Sequence, residues 1–139
     1  MQASSVIRRT VCADLVRGKN DRRPIMIELS YATADPYAVR LAVSTGDAPA
    51  AWAVGRDLLS EGLTRPVGEG EARVWPSPYG PRPVVWIRFG QQRRTALIEL
   101  AVGNLRDFVD QTYELVPTGS EPLFVDVETL INDLMREAS

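Results

Sequence analysis

The sequence predicts an α+β fold: about seven mainly antiparallel strands with a short helix among them, followed by two C-terminal helices. Apolar and polar residues alternate through roughly the first hundred residues, which is the period of half-buried strands. The apolar period then lengthens to that of amphipathic helices. With 139 residues, 45% of them hydrophobic, the chain has the size of one domain, which we expect to span residues 1–139.

Four strands are predicted before residue 56. Each has one apolar and one polar face, a pattern typical of antiparallel sheets that meet water on one side. A polar turn at residues 18–21 makes the first two strands a hairpin, and a turn at Asp35-Pro36 precedes the third. The apolar positions of the four strands are Val11, Ala13, Leu15; Ile25, Ile27, Leu29, Tyr31; Tyr37, Val39, Leu41, Val43; and Trp52, Val54.

The middle of the chain combines the short helix with a segment rich in proline and glycine. Asp57 is expected to cap one or two helical turns, and Gly62 is expected to end them. Residues 64–83 then enclose one short strand, from Glu71 to Trp75. Pro76 is expected to end this strand or to confine it to a sheet edge, because proline cannot donate a backbone hydrogen bond.

A last hairpin leads into the two C-terminal helices. Its strands cover residues 84–89 and 96–101 and flank a polar turn. Asn104 is expected to cap the first helix, which ends before Pro117, and a second helix is expected after Asp126. The apolar stripes of the two helices are Leu105, Phe108, Val109, Tyr113 and Val127, Leu130, Ile131, Leu134, Met135.

The composition argues against most classes of enzyme. Histidine is absent and Cys12 is the only cysteine, so the chain lacks an imidazole base and cannot build a zinc site from thiolates alone. A GxGxxG-like run at residues 68–73 has Arg73 in place of its third glycine. No catalytic residue, cofactor, metal or small-molecule substrate is predicted.

The net charge of −2 is unevenly distributed along the chain. Residues 1–94 carry 14 basic and 9 acidic side chains, whereas residues 95–139 carry 2 and 9. Asp107, Asp110 and Glu114 share one face of the first predicted helix. They are the candidate partner-binding residues. A merely solubilising face is an equally good interpretation, and a divalent cation site is a less favoured one.

A second possible binding surface combines aromatic and basic side chains of the strands. Tryptophans and arginines together can stack and pair with single-stranded nucleic acid. The overall acidity argues against that function, and packing between strands explains the same residues. These residues are Trp52, Trp75, Trp86, Arg73, Arg88 and the pairs Arg8-Arg9, Arg22-Arg23 and Arg93-Arg94.

No targeting segment is evident in the sequence. The first ten residues lack the apolar stretch of a secretory signal, and no apolar run approaches the length of about 20 residues that spans a membrane. We therefore expect a cytoplasmic protein that meets a membrane only through a partner.

Several motifs resemble the SsgA-like proteins of actinomycetes. The resemblance covers nearly the whole chain, including the closing apolar ladder from Asp126 to Met135. It rests on the runs Thr33-Ala34-Asp35-Pro36-Tyr37-Ala38-Val39, Arg56-Asp57-Leu58-Leu59, Glu61-Gly62-Leu63, Arg65-Pro66-Val67-Gly68 and Glu71-Ala72-Arg73-Val74-Trp75-Pro76, and on Phe108, Thr112, Val116-Pro117 and Gly119-Ser120-Glu121.

The resemblance implies a role in cell division during sporulation. It implies a small, non-enzymatic, cytoplasmic adaptor that helps position FtsZ and promotes its assembly at sporulation septa. It also implies a homotrimer whose fold is similar to the whirly-type single-stranded nucleic-acid-binding proteins. The motif residues expected to be structural are Asp35, Pro36, Tyr37, Arg56, Asp57, Gly62, Trp75 and Pro76.

Overall fold

Eight strands and three helices are present in the computed structural model, which describes residues 5–43, 50–77, 80–90, 95–125 and 135. The strands are β1 (Val6–Gly18), β2 (Asp21–Ala32), β3 (Ala38–Val43), β4 (Ala50–Gly55), β5 (Val67–Glu69), β6 (Ala72–Ser77), β7 (Val84–Phe89) and β8 (Ala96–Ala101). The helices are α1 (Arg56–Gly62), α2 (Val102–Leu115) and α3 (Glu121–Phe124).

The strands form one sheet in the order β4-β3-β2-β1-β8-β7-β6-β5, and every neighbouring pair is antiparallel. Alternation along each strand buries one face, as the sequence predicts. Trp52 of β4 stacks on Phe89 of β7 with ring centroids 4.8 Å apart. Because four strands separate β4 from β7, this contact shows that the sheet curls around its apolar face.

Helix α2 packs on the buried face of the sheet. Its apolar stripe faces the sheet, with Leu105 and Phe108 fully buried and Tyr113 partly buried. The same core contains Ile27 and Leu29 from β2 and Ile98 from β8, which are also fully buried. Burial of this kind contributes roughly 1.5–3 kcal/mol for each large apolar side chain, so the core fixes where α2 lies.

Strand β5 has no counterpart in the sequence prediction, which gave about seven strands. It has only three residues, Val67–Glu69, and pairs with Ala72–Val74 of β6. Strand β6 continues beyond its pairing with β5 and includes Pro76. Among the described residues, Pro76 has a strand neighbour only in β7, where it pairs with Val85. The proline therefore lies where β6 is locally an edge, so its missing N–H costs no pairing on the open side.

Helix α1 begins one residue before its predicted cap. Gly55 is the residue that precedes the helix, and Asp57 makes no capping hydrogen bond, so the predicted cap at Asp57 is wrong. The helix does end at Gly62, and Leu63 follows in right-handed helical geometry. Gly62 is therefore not needed for a left-handed turn. It is needed for packing, because a Cβ there would overlap the side chain of Val74 in β6.

Helix α2 begins at Val102, two residues before its predicted cap. Asn104 lies inside the helix, so the predicted cap there is also wrong, while the predicted end before Pro117 is confirmed. The short helix α3 was not predicted. The predicted helix after Asp126 lies outside the described residues, except for Met135, which is 66% exposed.

Replacement of Gly62 by alanine is expected to destabilise the fold by about 1–3 kcal/mol, since the added Cβ would lie 2.5 Å from the Cβ of Val74. Urea denaturation monitored by circular dichroism measures the change.

Gly103→Ala is the matched control, because a Cβ at this helical position meets nothing within 4 Å. We expect this control to be unchanged or more stable by about 0.5 kcal/mol. Equal stability of the Gly62→Ala variant and the natural protein would contradict the packing argument.

Candidate functional site

Arg56 is buried at the point where the three helices meet the sheet. Its side chain is only 1% exposed, and a buried guanidinium is stable only when acceptors replace its water. Nη1 donates to the backbone carbonyls of Thr112, at 3.0 Å, and Val116, at 2.6 Å. Nη2 donates to Oε1 of Glu121 at 2.7 Å, an ion pair between α1 and α3.

Two tyrosines enclose the same guanidinium. Its central carbon lies 4.1 Å from the ring centroid of Tyr113 and 5.4 Å from that of Tyr31, which are cation–π distances. Nη1 also donates to the hydroxyl oxygen of Tyr31 at 3.2 Å, and that hydroxyl donates to the carbonyl of Pro36 at 2.9 Å. Burial raises the pKa of Tyr31, which keeps the phenol neutral and able to donate.

Arg56 compensates the C-terminal end of α2. The last carbonyls of a helix lack intrahelical partners and carry partial negative charge. Arg56 donates to the carbonyl of Thr112, in the last turn, and to that of Val116, which follows the helix. The Val116 N–H also donates to the Thr112 carbonyl at 2.9 Å. A cation from α1 thus stabilises the end of α2 by charge and by hydrogen bonding.

Glu121 is the acidic member of this group. Its own backbone N–H lowers its pKa most, and the Arg56 guanidinium and the Gly119 N–H, 2.8 Å from Oε2, lower the pKa further. Burial acts in the opposite direction without reversing the shift. The carboxyl therefore stays ionised at neutral pH, as an ion pair requires.

A second contact joins α1 and α2 beside Arg56. The Tyr113 hydroxyl donates to Oδ1 of Asp57 at 2.5 Å. Burial and this bond to Asp57 raise the pKa of Tyr113 to about 12. Arg56, Asp57, Tyr31, Tyr113 and Glu121 are hereafter called the Arg56 cluster.

The Arg56 cluster holds α2 so that one helical face is turned to solvent. This face carries Asp107, Asp110 and Glu114, all exposed, and is hereafter called the acidic face. Within the described residues, none of the three forms an ion pair. The charges of α2 are these carboxylates and Arg106, so the helix presents a net negative surface in a fixed orientation.

The described residues do not bring acidic or sulfur ligands together in a metal-binding group. The cation interpretation of Asp107, Asp110 and Glu114 therefore gains no support from their placement. In the same part of the chain, no helix is long and apolar enough to cross a membrane.

The motif residues before α1 surround the turn into β3. Asp35 and Tyr37 are exposed, Tyr37 by 53%, whereas Pro36 is buried and its carbonyl accepts the Tyr31 hydroxyl. The Tyr37 carbonyl accepts the Arg56 N–H at 2.8 Å. These contacts connect the turn to the Arg56 cluster through the backbone.

Three residues of the second predicted surface, Trp75, Trp86 and Arg22, contact one another. Trp75 stacks with Trp86 at 6.4 Å. Arg22 lies 5.5 Å from the Trp86 ring and 2.9 Å from the carboxylate of Glu99. Arg93 and Arg94 lie outside the described residues. Packing between strands, the simpler interpretation, accounts for the contacts of Trp75, Trp86 and Arg22.

The sequence reasoning missed the Arg56 cluster as a unit. Arg56 and Glu121 are 65 residues apart, and neither periodicity nor helix propensity connects them. The available signal was the resemblance, since both residues lie in the motifs that carry it.

The chain is similar to a known protein family and to individual proteins of that family. A family model described as Streptomyces sporulation and cell division protein, SsgA, matches residues 25–121. The sporulation-specific cell division protein SsgB of Thermobifida fusca is 38% identical over 109 residues, covering 78% of this chain and 79% of that protein. The SsgB protein of Streptomyces coelicolor is 37% identical over 125 residues, covering 89% and 91%.

Two solved structures are similar to this chain, each at 34% identity. The SsgA-like sporulation-specific cell division protein of Thermobifida fusca YX-ER1 gives a TM-score of 0.86 and covers 96% of this chain and 98% of that one. An SsgB structure gives 0.82, with coverage of 89% and 98%; it accompanies a study of SsgB mutations that correlate to longitudinal cell division during sporulation of Streptomyces coelicolor. The intact central motifs likewise favour SsgB among the SsgA-like proteins.

Replacement of Arg56 by glutamine is expected to lower the free energy of unfolding by roughly 3–5 kcal/mol, because the change removes one partner of a buried pair. Urea denaturation gives the value. Arg65→Gln is the matched control, since Arg65 forms a 2.7 Å ion pair with Glu61 that is mostly exposed. The control should change by no more than about 0.5 kcal/mol, and equal losses in both variants would contradict the role given to burial.

Acid should weaken the fold through Glu121. Its pKa is lowered in the folded state, so its contribution to stability is complete above the unfolded pKa and is lost as pH falls through the folded value. Thermal melting from pH 7 to pH 3 should therefore show a steeper loss in the natural protein than in a Glu121→Gln variant. Parallel curves would contradict this contribution.

Proposed function

The chain belongs to the SsgA-like family of sporulation and cell division proteins, and from this membership we propose that it is a non-enzymatic adaptor that helps position FtsZ and promotes its assembly at sporulation septa. The match of the family model to residues 25–121 is the observation that carries the proposal. The relatives named above are sporulation-specific cell division proteins, so a role in cell division is the shared property.

In this proposed role the protein acts through its surface, by binding other proteins. An adaptor needs a surface of fixed shape, and the Arg56 cluster fixes α2 on the sheet. We expect no intrinsic catalytic activity, since the sequence lacks histidine and the common nucleotide and nucleophile motifs. The protein would act in the cytoplasm at the septum, as a single domain of residues 1–139.

Self-association belongs to the same proposal. The family resemblance implies a homotrimer and a whirly-like fold, and both stay predictions. Val6 and Met26 are about half exposed on the outer face of the β1–β2 hairpin, and exposed apolar side chains of this kind favour association. Light scattering at tens of micromolar protein tests the trimer, and a monomeric mass would contradict it.

Co-sedimentation with polymerising FtsZ from the same organism tests the proposed function. The expected result is that the protein pellets with FtsZ in the presence of GTP and increases the amount of FtsZ that pellets. A protein that stays in the supernatant at all salt concentrations, with unchanged FtsZ assembly, would overturn the proposal.

Neutralising the acidic face is expected to slow association with FtsZ at low salt by up to about ten-fold, because exposed charges act mainly on association rate. The variant is Asp107→Asn, Asp110→Asn and Glu114→Gln together, and stopped-flow fluorescence across a salt series measures the rate. The fold should be unaffected, since the three side chains are exposed.

The control variant removes three exposed carboxylates from hairpin turns instead, by Asp21→Asn, Glu69→Gln and Glu71→Gln. Both variants change the net charge equally, so only a local contact distinguishes them. Equal association rates in both variants would show that the acidic face merely solubilises the protein.

A further inference from the structure

Strand β4 is one edge of the sheet, and its sequence lacks the features that usually protect an edge. Its six residues, Ala50–Gly55, include no charge and no proline. All six pair with β3, from Ala50 opposite Val43 to Gly55 opposite Ala38. Within the described part of the chain, no strand pairs with the other side of β4. Outward backbone groups of this kind are a template for strand addition.

The opposite edge of the sheet is much less suited to this role. Strand β5 has only three residues, and one of them is Glu69. A short edge with a charged side chain gives an added strand few hydrogen bonds and an unfavourable neighbour. The two edges of one sheet thus differ, and β4 is the accessible one.

The side chains of β4 hold the strand in place and leave its outer face open. On the inner face, Trp52 stacks on Phe89 at 4.8 Å and Val54 is 2% exposed, so the strand is anchored in the core. On the outer face, Ala51 and Ala53 are exposed and end at Cβ. An approaching strand therefore meets a fixed backbone and no bulky side chain.

A positively charged side chain lies next to this edge. Arg40 of β3 lies directly opposite Ala53, is exposed, and forms no ion pair with the other described residues. It lines a cleft of about 400 Å³ that Ala53 also lines, together with Arg8, Glu28 and, from the turn before β3, Asp35. Glu28 lies on β2, one strand farther from the edge than Arg40. The cleft therefore presents Arg40 to anything that docks on β4.

We propose that the free edge of β4 binds an extended acidic segment of a partner protein by strand addition. An added strand would lie about 5 Å from β4 and about 10 Å from β3. An acidic side chain opposite Ala53 can span that distance to Arg40, because the alanine between them ends at Cβ. The inference rests on the function proposed above, in which the partner is a division protein, and specifies how that partner is held.

The test uses overlapping fifteen-residue peptides that cover FtsZ of the same organism, with binding measured by fluorescence anisotropy. Peptides with alternating acidic residues should bind. Ala53→Glu, which places a carboxylate opposite the acidic side chain of the added strand, should weaken their binding at least about ten-fold, and Arg40→Gln about three-fold. Arg17→Gln should leave binding unchanged, since Arg17 lies on β1, about 30 Å along that strand from the end near Arg40.

Two further measurements keep the test decisive. Bound peptide should slow amide hydrogen exchange in Ala50–Gly55. If Ala53→Glu fails to fold, Ala51→Glu replaces it, because Ala51 is exposed on the same outer face and its carboxylate would equally repel an acidic peptide.

The outcomes separate the two proposals. Intact FtsZ that binds the natural protein and Ala53→Glu equally would overturn strand addition and leave the proposed function standing. FtsZ that binds neither would overturn both. A change in oligomeric mass caused by Ala53→Glu, without an effect on peptide binding, would assign the edge to contacts between copies of this chain and overturn the inference.

Discussion

A guanidinium group removed from water must find its hydrogen-bond acceptors inside the protein, and this requirement at Arg56 determines how the helices sit on the sheet. The acceptors come from the end of α2, from the segment after it and from α3, and the rings of Tyr31 and Tyr113 complete the enclosure. Each acceptor can bind the guanidinium group only while the other acceptors keep their positions around it. The three helices are therefore positioned together, because a shift of any one would leave a buried charge or carbonyl without its partner.

The same residue connects the two surfaces to which binding is assigned. Arg56 follows Gly55 directly, so the cluster fixes the end of β4, and the Arg56 N–H donates to the carbonyl of Tyr37 just before β3. Through its side chain, Arg56 also holds the end of α2, which carries the acidic face. The contacts of Arg56 thus hold the β4 edge and the acidic face in fixed positions relative to each other. The proposed recognition of a partner by shape and charge requires such a fixed arrangement.

Sequence reasoning succeeded where local patterns carry the structure. Alternation predicted the strands around Ile27 and Ile98, and helical spacing predicted that Leu105 and Phe108 are buried. Strand β5 was not predicted, because three residues are too few to show the alternation of apolar and polar residues. The caps expected at Asp57 and Asn104 were wrong because β4 and β8 run directly into helices, which leaves no loop for a capping side chain.

The charge and the exposure of the acidic face could be predicted from composition and helical spacing. The Arg56 cluster could not be predicted in this way, because its contacts join residues 31, 56 and 121 across the fold.

Amide hydrogen exchange in an Arg56→Lys variant is the measurement that tests the role of this cluster. Lysine keeps the charge but loses the planar fork of donors. If Arg56 has this role, exchange should become faster in α1, the last turn of α2 and α3, and stay unchanged in β1, β2 and β8. Uniform acceleration across the sheet and helices, or none, would contradict it.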